Sequence, residues 1–256
     1  MKFNKNFLNQ KDEHLPEKLK PFALLNSQDK NLILLFHGMS AYPWEMSFLG
    51  KFLYQQKYSV YAPLVSDFQS FSSLKKFSYK IWLHNIEAIM ESVASQFKKI
   101  TIIGHSLGGL LAIYASLHFS NVHKLILVNT VFKLNNPFIP FLPLVFPFWK
   151  GLPIKTIPKY QENYFPYFPS QTIYELYKLA ALMRNSAKQI KIPTLVIGSQ
   201  TDKTISLKAT QKFYNNLNSS EKKIKIYAKA PHSILTPVYK NRTIVYQEIL
   251  KFLGGK

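Results

Sequence analysis

Cysteine is absent from all 256 residues. That one absence excludes disulfides, a thiolate zinc site and a cysteine nucleophile. Charge is sparse as well: charged residues make up 18% of the chain against 47% hydrophobic, the profile of a folded globular protein with an ample core. Acidic residues are the rarer sign, 13 Asp+Glu against 33 Lys+Arg, for a formal charge of +20. Such an imbalance can draw a surface toward nucleic acid, anionic lipid headgroups or acidic substrates. Here the lysines are scattered among Asn, Ile, Phe and Tyr without a compact basic run. The reading is therefore a solvated basic surface, with no recognised nucleic-acid-binding motif.

Long apolar runs are also missing. A membrane helix needs roughly 18 uninterrupted apolar residues. The nearest stretch, Asn136 to Trp149, is shorter and is broken by Pro137, Pro140, Pro143 and Pro147. The opening Met1–Gln10 is basic, but Lys11-Asp-Glu-His14 follows it where a signal peptide would carry an apolar segment. A cytoplasmic location is expected on that basis.

What is present is an alternation of apolar runs and amphipathic stretches. Phe22–Leu25 reads as a short edge strand, and Asn31–Phe36 as a strand buried on both faces. Met46, Leu49, Phe52 and Leu53 mark a helix, Tyr58–Ala62 a strand, and Leu64–Leu74 a loop. Phe77, Ile81, Ile86, Ile89, Met90 and Val93 mark a long amphipathic helix. His123–Val128 is the next strand. After it the pattern lapses into a Pro- and aromatic-rich stretch, Phe132 to about Pro169, and a helix over Thr172–Lys188. Strand, helix, strand and helix then return as Ile192–Ile197, Leu207–Leu217, Lys223–Tyr227 and Lys240–Leu253. This predicts an α/β fold: a mostly parallel central sheet flanked by helices. The whole chain, 1–256, is expected to be a single domain. Its core covers about 21–131 and 191–256, and a small aromatic cap covers about 132–190, because a long irregular segment inside a compact domain is functional or disordered and these aromatics argue for order.

The chemistry centres on Lys99–Tyr114, where an apolar strand breaks at Gly104 and helical spacing resumes after Gly108. Gly104-His-Ser-Leu-Gly108 puts Ser106 at the apex of a tight turn, with glycines two residues away on either side to make room for strained backbone. A serine hydroxyl is a weak nucleophile and needs an imidazole base held in the right tautomer by a carboxylate. On a strand-turn-helix the expected order is Ser, acid, His. Of the seven histidines, only His232 follows Ser106 in a loop after a late strand. His118 and His123 fall at the opposite edge of the sheet, His105 is locked in the turn, and His37 reads as a structural anchor of its loop. Asp202 lies just beyond a strand, at the edge where open α/β sheets place ligands. Its competing reading is a turn-forming aspartate. Glu162 and Glu175 belong to the cap, and Glu221 begins a strand at the wrong edge. The N–H of Leu107, at the start of the helix, is one expected oxyanion donor; the N–H of Met39, after His37-Gly38, is the other.

These motifs, Leu34-Leu-Phe-His-Gly-Met39, Gly104-His-Ser-Leu-Gly-Gly109, Pro193-Thr-Leu-Val-Ile-Gly198 leading to Asp202, and His232, resemble the α/β-hydrolase superfamily, and within it the bacterial carboxylesterase and monoacylglycerol lipase group. The resemblance spans about Asn31 to Leu253. It implies a cofactor-independent serine hydrolase of carboxylic esters, with catalytic Ser106, His232 and Asp202, oxyanion donors Met39 and Leu107, no metal, and a small-molecule or lipid ester as partner. The aromatic cap suggests a lipophilic acyl or aryl group, with monoacylglycerol or lysophospholipid among the candidates and a weak attraction to anionic membranes. The rivals are a proline iminopeptidase-like enzyme and a non-catalytic binding protein on the same fold. Two positions depart from the family pattern: Ser40-Ala41 stands where a glycine is common, and Pro231 where glycine often precedes the histidine.

Overall fold

The computed structural model describes residues 16–27, 29–65, 78–144, 151–153, 158–164 and 167–255. The lead-in before residue 16, residues 66–77 with Phe77, and Phe146, Phe148, Trp149 and Phe165 of the aromatic stretch lie outside the described residues.

Seven strands form the main sheet in the order β1-β3-β2-β4-β5-β8-β9. They are β1 (Phe22–Leu24), β2 (Asn31–Phe36), β3 (Val60–Ala62), β4 (Lys99–His105), β5 (Val122–Val128), β8 (Thr194–Ser199) and β9 (Lys222–Tyr227). All neighbours run parallel except the edge pair β1 and β3. The apolar runs are continuous because both faces are covered. Along β2, Leu32, Leu34 and Phe36 join one buried cluster, while Ile33 and Leu35 join the other. The first cluster takes in α2 (Tyr79–Ala94) through Trp82, Ile86 and Met90, and α5 (Leu207–Asn216) through Phe213. The second is closed by Met46, Leu49 and Leu53 of α1 (Trp44–Gln55) and by Val245, Tyr246 and Ile249 of α6 (Arg242–Leu253). Helix α3 (Leu107–His118) is buried nearly throughout its first turns, which explains its uniformly apolar sequence.

Between β5 and β8 the described residues are less regular but not shapeless. They make a 3₁₀ turn at Ile139–Leu144, a short antiparallel pair of β6 (Gly151–Pro153) and β7 (Tyr167–Pro169), a second 3₁₀ turn at Pro158–Asn163, and α4 (Ser170–Asn185). The helix expected over Thr172–Lys188 thus starts two residues earlier and stops three earlier. Ser186 Oγ donates to the Met183 carbonyl at 2.8 Å, and the backbone tightens into a 3₁₀ turn at Ala187–Gln189. Leu176, Leu179 and Met183 of α4 reach the main core, whereas Ile173 packs with Ile139 and Leu142 in a small cluster edged by Met39.

The sheet order places the site. From β2 the chain crosses to β3 on one side, and from β4 it continues to β5 on the other. The crevice where the order reverses lies beyond the carboxyl ends of β2 and β4, the ends that carry Gly38-Met39 and Ser106. Among the described residues, no helix is long and apolar enough to cross a membrane.

Candidate active site

Ser106 has φ 54° and ψ −115°, left-handed backbone that a non-glycine residue adopts only under constraint. Its neighbours supply the constraint. A Cβ on Gly104 would sit 2.3 Å from the Gly108 carbonyl oxygen, and one on Gly108 would sit 2.1 Å from that of Phe36. Neither distance leaves room for a methyl group, so the G-x-S-x-G spacing reflects backbone packed directly on backbone. The Ser106 N–H donates to the Val128 carbonyl at 3.0 Å, which pins the turn to β5. Helix α3 begins at the next residue, so the Leu107 N–H belongs to the first turn, whose amides have no intrahelical acceptor and face the positive end of the helix dipole.

The turn brings Ser106 to His232, and His232 to Asp202. Ser106 Oγ lies 3.0 Å from His232 Nε2, and His232 Nδ1 lies 2.6 Å from Asp202 Oδ2. The Asp202 side chain is fully buried, while that of His232 is 24% exposed. Asp202 Oδ1 accepts the N–H of Thr204 at 2.8 Å and of Ile205 at 3.3 Å. Burial alone would raise the Asp202 pKa. The hydrogen bond and charge of His232, with the two backbone N–H groups, outweigh it and hold the carboxyl below its ordinary value. A carboxylate at Oδ2 assigns the proton to His232 Nδ1, which leaves Nε2 to accept from the Ser106 hydroxyl.

Residues that the sequence reading passed over hold this arrangement. Ser199 Oγ donates to the Ala230 carbonyl, and Thr201 Oγ1 donates to the same oxygen at 2.9 Å while accepting the Ala230 N–H at 3.2 Å. The loop bearing Asp202 is thereby stitched to the loop bearing His232. Asn129, at φ 41° just past β5, donates through Nδ2 to the carbonyls of His232 (2.8 Å) and Pro231 (3.3 Å). An asparagine immediately after a buried apolar strand was the only sequence signal for it.

On the other side of Ser106 lies the loop after β2. A Cβ on Gly38 would be 3.4 Å from Ser106 Cβ, so the residue before Met39 is in contact range of Ser106. His37 anchors this loop: its Nδ1–H donates to the Gly38 carbonyl at 2.9 Å and its Nε2 accepts the Val65 N–H at 3.1 Å. Full burial pushes its pKa down to about 4. Glu45 was also unforeseen. A lone acid in the first turn of α1 reads as a helix-dipole partner, but its Oε2 turns inward to accept the Gly38 N–H at 2.8 Å and to meet His105 Nδ1 at 2.9 Å.

The acids set aside in the sequence are engaged elsewhere: Glu162 with Lys18, and Glu175 with Lys178 at 2.5 Å and with the Tyr79 N–H at 3.0 Å. His118 and His123 lie at the far edge, the latter against the Ile100 carbonyl. No cluster of three or more His, Asp or Glu suited to a metal ion occurs among the described residues.

The strand order and the serine turn between β4 and α3 define an α/β hydrolase. More narrowly, the chain belongs to the Hydrolase_4 family, "Serine aminopeptidase, S33", whose profile matches residues 27–167 and 160–237. A carboxylesterase of Bacillus subtilis (strain 168) is 25% identical over an alignment that covers 91% of this chain and 96% of that protein. Among solved structures, one reported for the metagenome-derived lipolytic enzymes LipS and LipT matches with a TM-score of 0.82 at 20% identity, covering 92% of this chain and 97% of that one. The monoacylglycerol lipase of Paleococcus ferrophilus matches with a TM-score of 0.69 at 15% identity, covering 91% and 99%. At those identities the structural matches speak to the fold.

Proposed function

We propose that this hydrolase cleaves carboxylic esters through an acyl-enzyme on Ser106. The observation that carries the reading is the hydrogen-bonded line from Asp202 through His232 to Ser106. In this reading Ser106 Oγ attacks the ester carbonyl as its proton passes to His232 Nε2, and Asp202 stabilises the imidazolium that forms. The tetrahedral oxyanion is met by the N–H groups of Leu107 and Met39. Collapse expels the alcohol, which takes the proton from His232, and a water activated by the same imidazole then hydrolyses the acyl-enzyme.

Two features favour a lipophilic ester. Segment 132–190, read as a cap, packs Ile139, Leu142 and Ile173 beside Met39, so the described flank of the oxyanion loop is apolar. Its outer side exposes Phe138 (72%), Phe141 (60%) and Leu144 (74%). Those three repeat every third residue, the period of a 3₁₀ turn, and form one apolar line. With a formal charge of +20 behind it, that line suits the surface of an anionic lipid assembly better than bulk water. The carboxylesterase and monoacylglycerol lipase relatives support the same class. An aminopeptidase would need a carboxylate to hold the substrate amine, and Glu162 and Glu175 are already ion-paired.

Fluorophosphonate labelling tests the nucleophile, and a p-nitrophenyl ester chain-length panel beside Pro-naphthylamide tests the substrate class. The expected result is one label lost in Ser106→Ala, with ester turnover and little amide turnover. Ester hydrolysis that survives Ser106→Ala would sink the assignment.

A further inference from the structure

Glu45 and His105 take no part in the reaction as written above, yet their side chains are only 3% and 2% exposed and form an ion pair. The hydrogen bonds described from that pair to other residues lead to the loops beside Ser106. Glu45 Oε2 accepts from the Gly38 N–H at 2.8 Å and from His105 Nδ1 at 2.9 Å. His105 Nε2 is 2.9 Å from the His232 carbonyl, which can only accept, so Nε2 carries a proton. With Glu45 Oε2 as a carboxylate oxygen, accepting from Nδ1 as it does from the Gly38 N–H, both ring nitrogens donate and His105 is an imidazolium. Burial opposes both charges, but the pair overcomes it: Glu45 is held below the usual carboxylate range and His105 above the usual imidazole range.

We propose that the Glu45–His105 ion pair is a positioning device for the reaction, a rigid brace that sets the Met39 donor loop and the His232 base loop at a fixed separation across Ser106. The inference rests on the ester-hydrolase reading of the site. Its path runs from the Gly38 N–H through Glu45 and His105 to the His232 carbonyl, joining the loop after β2 to the loop after β9. Replacing a buried ion pair by well-packed apolar side chains is often neutral for stability, but apolar side chains could not hold the Gly38 N–H and the His232 carbonyl in register. Charge-assisted hydrogen bonds do so with short, directional contacts. Asn129 also holds the His232 carbonyl and His37 also holds the Gly38 carbonyl, so the brace shares both ends; its own contact with the loop after β2 is the Gly38 N–H.

The brace imposes a pH dependence on the reaction. His37, Asp202 and His232 face the pair from the loops after β2, β8 and β9, the His232 ring centroid 5.0 Å from that of His105, and the Tyr164 phenol faces Glu45 from segment 158–164. His37 is neutral in its hydrogen bonds, and the Asp202 carboxylate favours the His105 imidazolium. The Glu45 carboxylate holds the His105 pKa above its ordinary value, so the second proton is lost at higher pH than from a free imidazole. Activity then has an alkaline limb that His232, which must be unprotonated to act as base, does not produce.

The test is Glu45→Gln in the full chain, assayed with p-nitrophenyl butyrate, together with ¹⁵N NMR of the histidine rings. In the wild-type protein at pH 7 both His105 nitrogens should be protonated, and kcat should fall at alkaline pH in step with loss of that signal. Glu45→Gln should lower kcat about 10- to 100-fold with KM nearly unchanged, the size of effect that sub-ångström misplacement produces. It should also abolish the alkaline limb, and Glu45→Asp should recover part of the loss. A neutral His105 at pH 7, or a Glu45→Gln enzyme with wild-type kcat, overturns the proposal. The NMR titration and the wild-type pH profile decide it even where the variant does not fold. A wild-type protein that neither hydrolyses the ester nor takes a fluorophosphonate label would instead remove the ester-hydrolase reading, and the ring protonation of His105 would still test the pair.

Discussion

His232 Nδ1 lies 2.6 Å from Oδ2 of Asp202, whose side chain has no exposure to solvent. The tautomer of His232 therefore rests on one buried carboxylate. Asp202→Asn keeps the volume and lets the amide oxygen continue to accept the N–H groups of Thr204 and Ile205, but it turns an NH₂ toward His232. The imidazole then places its proton on Nε2, facing Ser106. We expect kcat for a p-nitrophenyl ester to drop about 10³- to 10⁴-fold, with thermal unfolding shifted by only a few degrees. Steady-state kinetics with a melting curve checks both, and a kcat within tenfold of wild type would reassign Asp202 to the turn-forming role.

Gly108 and Phe36 make the second expectation. A Cβ on Gly108 would fall 2.1 Å from the Phe36 carbonyl oxygen, and 2.7 Å from that of His37. Backbone cannot step aside like a flexible side chain, so Gly108→Ala must push α3 away from the end of β2. The cost should be at least about 2 kcal/mol, and the displaced strand end leads straight into Gly38-Met39. Chemical denaturation should show the lost stability, and the surviving folded fraction should lose turnover as well. An alanine variant with wild-type stability would contradict the packing at this turn.

How much of this was readable in the residues follows from where each signal lives. The serine turn was readable because its glycine requirement is local, as were the parallel strands, because continuous apolar runs record burial on both faces. Asp202 and His232 could be ranked by the order of loops along the sheet edge. Glu45 could not, since a first-turn glutamate looks the same whether it faces solvent or, as here, Gly38 and His105. Asn129, Ser199 and Thr201 were equally silent: their work is hydrogen bonding between loops about 30 to 100 residues apart, and a short polar side chain carries no periodicity that would announce it. Between β5 and β8 the composition carried no signal for the 3₁₀ turns at Ile139–Leu144 and Pro158–Asn163, the first of which packs against α4.

His37 makes stability fall on the acid side. It is fully buried and neutral, its pKa pushed down to about 4 from 6.5, chiefly by burial. Its folded pKa lies below its unfolded one, so its contribution is intact above pH 6.5. As pH falls from 6.5 toward 4, the unfolded chain takes up a proton that the folded one refuses, and stability drops through that window. The loss should be on the order of 3 kcal/mol. Denaturant unfolding at half-unit pH steps measures it; a flat profile between pH 6.5 and 4.5 would show that His37 protonates without cost. Glu45 and Asp202, both held below their ordinary values, add a further loss only at lower pH.

The exposed line of Phe138, Phe141 and Leu144 gives the expectation that bears on substrate. Phe141 N–H donates to the Phe138 carbonyl at 3.0 Å, so the turn that aligns the three is hydrogen-bonded, while Ile139 and Leu142 point inward beside Ile173. A surface built this way should meet a lipid assembly with its apolar line and be drawn to it by the +20 charge. Flotation with vesicles containing anionic phospholipid should show binding that weakens from 0.01 M to 0.5 M salt, as the screening length shrinks from about 30 Å to a few ångströms. Phe138→Ser/Phe141→Ser/Leu144→Ser should remove the part of binding that survives salt, and lower turnover of monoacylglycerol in vesicles. Hydrolysis of soluble p-nitrophenyl butyrate should stay within about twofold, since the three side chains point away from the cluster beside Met39. Vesicle binding unchanged in the triple variant would rule out the apolar line as a docking surface, and binding indifferent to salt would rule out the charge.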